Sequence, residues 1–375
     1  MQIARYIEAV PNWQYHRADA HDELVQSLTR LVTVHPPGSL HPRGGLFFGP
    51  LSIAYLLLRL HEWYPDLRFG VGNRTLRAWA SEYRQKAVVH RRGPLANQCG
   101  VIDEAMTSLA LEAAFDRNVN AVTQFVKWAN AVADSEEAGN EWLYGRAGTL
   151  YFVRLIRRHW AETPSLTQPL DLVASKLIKS IMEAERPWTW YDTNYVGAAH
   201  GTIGIITQIV LTRPSTASEL QGELRAILDA QISDSGNFPA ALPAGRRERL
   251  VQFCHGAPGV VNSLMSLRDY FPNLREHIDV AIQKGQECTL KLGVLTKEPC
   301  LCHGSSGNAV ALEGEAFECL INHTTAPMMA RMEQEGVWEP SDNPEGLYTG
   351  EAGRAWAWAV ADQQLEKRYL GYNDL

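Results

Sequence analysis

His200-Gly201-Thr202-Ile203-Gly204, His255-Gly256-Ala257-Pro258-Gly259 and His303-Gly304-Ser305-Ser306-Gly307 are three occurrences of one pattern, a Gly-x-x-Gly turn that opens an apolar run. Two further copies are Tyr144-Gly145-Arg146-Ala147-Gly148 and Thr349-Gly350-Glu351-Ala352-Gly353. From first glycine to first glycine the steps are 56, 55, 48 and 46 residues. Stepping back from Gly145 by 45 and then 51 residues reaches Gly100, in Gln98-Cys99-Gly100-Val101-Ile102-Asp103, and Gly49, in Phe48-Gly49-Pro50-Leu51-Ser52. These two degenerate copies bring the count to seven. Self-similarity at a fixed period marks repeat architectures, in which each unit buries its apolar face against its neighbours.

A unit of about 50 residues has room for two helices and two loops. Before the turns, Leu170, Leu172, Val173, Leu177, Ile178, Ile181 and Met182 fall on one 3.6-residue stripe, as do Leu220, Leu224, Ile227, Leu228 and Ile232. Such stripes predict amphipathic helices with one wet face. After the turns the runs are apolar almost all round, as in Leu150-Tyr151-Phe152-Val153 and Ala355-Trp356-Ala357-Trp358-Ala359-Val360. These predict helices buried on every side. Seven hairpins of one wet and one dry helix can close into a double ring or stack as an open solenoid. The count of seven, and the lack of a polar capping repeat at either end, favour an all-α closed ring with every glycine turn at the same end of the inner barrel.

The 375 residues carry 35 Lys and Arg against 42 Asp and Glu, a net charge of −7. That balance offers no general field for a phosphate backbone or an anionic membrane, so nucleic acid is not an expected partner. At about 150 residues per domain the length suits two or three domains or one large closed architecture; the repeat selects a single domain over 1–375 with a repeat core at about 45–360. The longest apolar stretch, Leu46 to Leu58, contains Gly49, Pro50 and Ser52 and falls short of the roughly 20 residues that span a bilayer, so no transmembrane segment is expected. The Met1-Gln2-Ile3-Ala4-Arg5-Tyr6-Ile7-Glu8 start lacks the apolar core of a secretory signal. Five of the six cysteines lie between Cys254 and Cys319, a clustering that suits ligands or reactive thiols in a reducing compartment better than a disulfide framework. A cytoplasmic setting is expected.

Two repeats carry the dipeptides Cys254-His255 and Cys302-His303, 48 residues apart at the same repeat position. Thiolates and an imidazole presented from neighbouring turns are what a zinc ion takes. The spacing matches no common zinc finger, and ordinary buried cysteines are the alternative reading. A histidine just before such a turn stands at the positive end of an inner helix.

Gly197-Ala198-Ala199-His200-Gly201, Cys254-His255-Gly256-Ala257-Pro258-Gly259 and Leu301-Cys302-His303-Gly304-x-x-Gly307-Asn308 resemble the signature of the lanthionine synthetase C-like family. Gly236-Asn237-Phe238-Pro239 and Glu141-Trp142-Leu143-Tyr144-Gly145-Arg146 resemble its lesser motifs. The resemblance runs from about residue 45 to 360 and lies nearer the eukaryotic members than the bacterial peptide cyclases, which usually have an aromatic residue where this chain has His255. It implies an α/α toroid of seven inner and seven outer helices, the arrangement the repeat count reaches independently.

The resemblance further implies zinc (Zn2+) held by Cys254, Cys302 and His303, with a fourth position open for a substrate sulfur; Cys300 is a rival fourth ligand. The family chemistry is Michael addition of a thiol, glutathione in the eukaryotic members, to dehydroalanine or dehydrobutyrine in a protein or peptide. The enolate so formed needs an acid. His200 matches the family's acid/base candidate, with His255 next in line, and Glu141 stands where an orienting aspartate occurs in bacterial members. Lys297 matches a glutathione contact, and Asp342 and Arg5 match further substrate contacts. Two positions depart from the eukaryotic pattern. The seventh repeat reads Gly346-Leu347-Tyr348-Thr349-Gly350 in place of Ser-Leu-Phe-Glu-Gly, and Glu339 replaces an arginine. The run Arg246-Arg247-Glu248-Arg249 is an alternative carboxylate clamp.

Three functions follow as expectations: a zinc-dependent thiol transferase, a non-catalytic zinc- and glutathione-binding scaffold, and a carbohydrate-active toroid enzyme working with paired carboxylates. The Cys-His repeats disfavour the last.

Overall fold

The computed structural model describes residues 5–7, 18–87, 93, 97–244, 249–337 and 341–375. Arg246, Arg247, Glu248 and Glu339 lie outside the described residues. Among the described residues, a helix starts at or just after each of the seven repeat glycines. These are α2 (Gly49–Leu60), α4 (Glu104–Phe115), α6 (Arg146–His159), α8 (Thr202–Thr212), α10 (Ala257–Leu267), α12 (Ser305–Val310) and α15 (Glu351–Asp362). All twelve residues of α2 are buried, and the Trp356 and Trp358 side chains of α15 are fully enclosed. A fully buried large apolar side chain is worth about 1.5 to 3 kcal/mol, so these helices are stable only inside a layer.

Each of these helices packs on the next, and α15 returns to α2. The inner ring is therefore closed, and the solenoid alternative is excluded. The outer layer is α3 (Leu76–Lys86), α5 (Val119–Asp134), α7 (Pro164–Glu183), α9 (Gln221–Asp229), α11 (Arg275–Leu292) and α13 (Gly314–Asn322). Each follows an inner helix and lies against it or beside its connection. The seventh outer position is filled from the other end of the sequence, because α1 (Ala20–Val34) packs along α15. Its N-cap is Asp19, whose carboxylate accepts the Asp22 N–H at 3.0 Å. A buried ionic cluster joins the two helices. Arg354 on α15 meets Glu23 on α1 and its own neighbour Glu351, while Ser27 donates to Glu351.

The glycine turns owe their spacing to backbone packing. A side chain on Gly148, Gly204, Gly259, Gly307 or Gly353 would collide with the carbonyl of the residue six positions earlier, Trp142, Ala198, Phe253, Leu301 and Leu347 respectively. The loop before each inner helix thus folds back over the helix start, and only glycine permits the approach. Successive loops are then tied edge to edge. Tyr348 donates its N–H to Phe47 at 2.9 Å, Cys302 to Tyr348 at 3.0 Å and Cys254 to Cys302 at 3.4 Å. Farther round, Leu143 donates to Ala199 at 3.3 Å, Cys99 to Tyr144 at 2.8 Å and Leu46 to Val101 at 2.7 Å. The seven turns form one collar at the end of the barrel.

The final residues, beyond the repeat core, fill the barrel. Asp374 accepts Arg59 at 2.8 Å and Tyr151 at 2.9 Å, Tyr369 donates to Gly307 at 2.7 Å, and Trp142 donates to Gly371 at 3.2 Å. These bonds give buried polar groups of the inner helices and turns their partners. No described helix is long and apolar enough to cross a membrane.

Candidate functional site

The collar places equivalent residues of successive repeats side by side. Two positions before the first glycine stand Leu143, Ala199, Cys254, Cys302 and Tyr348; one position before it stand Tyr144, His200, His255, His303 and Thr349. Beneath them is an aromatic floor. Phe47 stacks on Tyr348 at 5.2 Å between centroids, and Phe253 lies 5.3 Å from Tyr348 and 5.6 Å from Trp142.

Cys254 and Cys302 are both buried, at 9% and 4% exposure. The Cys302 thiol hydrogen-bonds to the Cys254 sulfur; this holds Cys254 below its ordinary pKa and, with burial, pushes Cys302 well above it. Gln252 also donates to the Cys254 sulfur at 3.1 Å. A sulfur that accepts two hydrogen bonds is disposed toward the thiolate, the form that binds metals and attacks electrophiles. Burial pushes Cys300 up to about 12. His303 follows Cys302 directly and is partly exposed. Two touching sulfurs, one of them held toward thiolate, with an imidazole on the adjacent residue, are donors of the softness that fits zinc. Among the described residues, no group of three such donors close enough to hold an ion is found.

His200 is 13% exposed, and its Nδ1 lies 3.2 Å from Glu141 Oε2. Glu141 is buried, and its carboxylate accepts the N–H groups of Leu143, at 2.6 Å, and Tyr144. The loop that carries it is clamped by Arg146, which donates to Ala138 and, at 2.8 Å, to Asn140. A carboxylate on Nδ1 leaves Nε2 as the nitrogen for exchange with a substrate. His255 lies 6.3 Å from His200, ring to ring, and so links the Glu141–His200 pair to the Cys254 turn.

Other motif residues brace the loops. Asn237 accepts the Ala257 N–H at 2.8 Å and donates to Leu250 at 3.0 Å, tying down the start of α10. Asn308 donates to Val251 and Gly293, both at 2.9 Å.

The expected substrate contacts occupy the rim. Arg5 precedes a short strand, β1 (Tyr6–Ile7), that pairs with β4 (Val294–Leu295), and its carbonyl accepts the Thr296 N–H at 3.2 Å. It is thereby set beside partly buried Lys297. Arg5 and Arg249 also line one cavity of about 410 Å³, with Ser235, Asn237 and Val251. Asp342 is exposed on the segment leading to the seventh turn.

Sequence reasoning missed Trp190. Its indole stacks on the His200 ring at 3.8 Å and 6°, with Tyr144 at 5.7 Å and Tyr195 at 6.0 Å from the indole. The interleaved aromatics of Trp188-Thr189-Trp190-Tyr191, just upstream of Gly197, were the available signal.

Comparison with known proteins bears on the family and the fold. The family model for lanthionine synthetase C-like proteins matches residues 108–358. Glutathione S-transferase LANCL1 of Danio rerio is 27% identical over 285 residues, 70% of this chain and 67% of that protein. LanC-like protein GCL1 of Arabidopsis thaliana is 26% identical over 258 residues, 61% of this chain and 57% of that protein, so the match spans little more than half of the plant relative. Among solved structures, nisin cyclase superposes with a TM-score of 0.56 at 13% identity, covering 95% of this chain and 97% of its own, which establishes the shared toroid fold. The family match begins inside α4, so the repeat glycines Gly49 and Gly100 lie before it.

Proposed function

The chain belongs to the lanthionine synthetase C-like family, and from that membership we propose that it adds a thiol, glutathione foremost, to dehydroalanine or dehydrobutyrine residues of a peptide or protein. The observation that carries this reading is the placement of a paired thiol site, Cys254 and Cys302, one turn away from a carboxylate-backed imidazole, Glu141–His200. Thiol addition needs these two capacities together, one for a sulfur anion and one for a proton. The zebrafish relative's name supports a thiol as one substrate.

Cys254, Cys302 and His303 would hold zinc, whose charge, when the ion is bound, keeps a substrate thiol in its thiolate form near neutral pH. The sulfur attacks the β-carbon of the dehydro residue, and the π electrons move to the α-carbon and its carbonyl. His200, protonated and hydrogen-bonded to Glu141 through Nδ1, delivers a proton from Nε2 to the α-carbon; His255 is the next group in reach. The proton lost by the thiol balances the one gained. Arg5 and Lys297, with Arg249 across the shared cavity and Asp342 on the rim, would take the carboxylates and the ammonium of glutathione. Such a thiol pair requires a reducing compartment, and the cytoplasm is the setting proposed.

Zinc-loaded protein incubated with glutathione and a dehydroalanine peptide should yield the thioether adduct by mass spectrometry. His200→Asn should keep its zinc and slow the addition by roughly 10²- to 10⁴-fold. Zinc binding with no adduct from glutathione, or from any other small thiol, would replace this reading with that of a non-catalytic binding scaffold.

A further inference from the structure

One hydrogen bond from Nδ1 to a carboxylate fixes where an imidazole is held but leaves its plane free to swing about that bond. In this protein the plane is set by a second element. The segment between α7 and α8 forms a tight reversal in which Trp190 and Thr193 exchange backbone hydrogen bonds at 3.0 and 3.1 Å. The two residues at its tip, Tyr191 and Asp192, have φ of +46° and +57°. A bulky aromatic residue rarely takes that conformation, and Tyr191 there is 82% exposed, with its ring edge-on to Trp190 at 4.6 Å. The turn places the flanking Trp190 indole flat on the His200 ring, 3.8 Å between centroids and 6° from parallel. The strand that follows, β2 (Asn194–Tyr195), pairs with β3 (Ala241–Leu242), which anchors the reversal to the neighbouring repeat.

We propose that Trp190 is a positioning residue: it locks the His200 imidazole in the plane that keeps Nδ1 on Glu141 and turns Nε2 toward the Cys254–Cys302 site. The proposal rests on His200 acting as the acid of thiol addition. The charged and titratable groups facing the imidazole are Glu141, His255, Tyr144 and Tyr195. The Glu141 carboxylate lies 3.2 Å from Nδ1, and the rings of Tyr144 and Tyr195 stand 6.0 Å away. Tyr144 is parallel to the imidazole but distant, and Trp190 lies face to face with it at 3.8 Å.

The test uses the zinc-loaded full chain with Trp190→Leu and Trp190→Phe. In Trp190→Leu, kcat for thiol addition should fall about 10- to 100-fold, the scale of a catalytic group displaced by about 1 Å, while KM for the thiol stays within about 2-fold. Trp190→Phe, which keeps a stacking ring, should restore most of kcat. Long-range proton–nitrogen NMR of His200 should show one tautomer with the proton on Nδ1 in wild type and in Trp190→Phe, and a mixture in Trp190→Leu. In a His200→Asn background, Trp190→Leu should cause no further loss, since both changes remove one function; an equal further loss would mark Trp190 as merely structural and overturn the proposal. An unchanged tautomer together with an unchanged kcat in Trp190→Leu would also overturn it. If His200→Asn itself retains full activity, the acid reading fails, while the NMR comparison still decides whether Trp190 sets the imidazole. Should Trp190→Leu lose its zinc or its helical circular dichroism, Trp190→Met takes its place with the same expected outcomes.

Discussion

The backbone N–H of Cys254 donates to the carbonyl of Cys302 at 3.4 Å, so two residues 48 positions apart in sequence stand side by side in the collar. Their side chains leave the collar together and meet in a sulfur-to-sulfur hydrogen bond. Repeat equivalence is thereby converted into a two-thiol site without any local motif that spans both residues.

Cys302→Ala should lose most of the bound zinc, because it deletes one soft donor and the hydrogen bond that favours the Cys254 thiolate. Cys288, on α11, is buried outside this pair, and burial pushes its thiol up to about 11. Cys288→Ala should therefore keep full zinc. Metal analysis of the purified variants decides, and full zinc in Cys302→Ala would reject the ligand assignment.

Lys297→Ala should weaken glutathione binding severalfold while leaving the rate at saturation close to wild type, since a carboxylate contact remote from the reacting sulfur contributes uniform binding. Arg249→Ala should act in the same direction if the cavity it shares with Arg5 takes a carboxylate. Titration calorimetry with glutathione separates the two, and a loss confined to kcat would assign Lys297 to the chemistry instead.

Ring closure depends on Arg354, which is 1% exposed and meets the carboxylates of Glu23 and Glu351. Arg354→Leu leaves the buried Glu23 carboxylate without its cation, while Glu351 keeps Arg30 at 3.2 Å, and breaking a buried ion pair on one side costs about 3 to 5 kcal/mol. Urea unfolding should show a loss of that size. The double variant Glu23→Gln/Arg354→Leu should recover part of it, and no difference between them would place the closing energy in the apolar contacts of α1 and α15.

Acid should weaken the fold through His323. Burial lowers its pKa from 6.5 to about 4. Above pH 6.5 both states are neutral there and nothing is lost. Between 6.5 and 4 the unfolded chain binds a proton that the folded chain refuses, so stability falls with pH, by about 2 kcal/mol at pH 5. Urea midpoints at pH 7.5 and 5.0 should draw closer together in His323→Gln than in wild type, and equal spacing in the two proteins would remove His323 from the account.

The recurrence of Gly-x-x-Gly every 46 to 56 residues, with amphipathic runs before it and apolar runs after it, determined the helical hairpins, their number and the inner or outer place of each. Those are local properties: the glycine that lets a loop lie on its own helix start, and a hydrophobic period that selects a buried face. The Cys-His turns were legible for the same reason, since equal positions in equal units must land on one collar. Closure was not local. It required α1, at the far end of the chain from α15, to supply the seventh outer helix, and no periodicity within either segment announces a partner so distant in sequence. The same holds for the last residues, whose Tyr369, Tyr372 and Asp374 look like an ordinary polar tail until the inner helices surround them. Trp190 completes the contrast. Its sequence neighbourhood is merely aromatic, and its place on the His200 ring follows from a backbone reversal and a two-residue strand pairing, contacts whose free energy exists only once the repeats have closed.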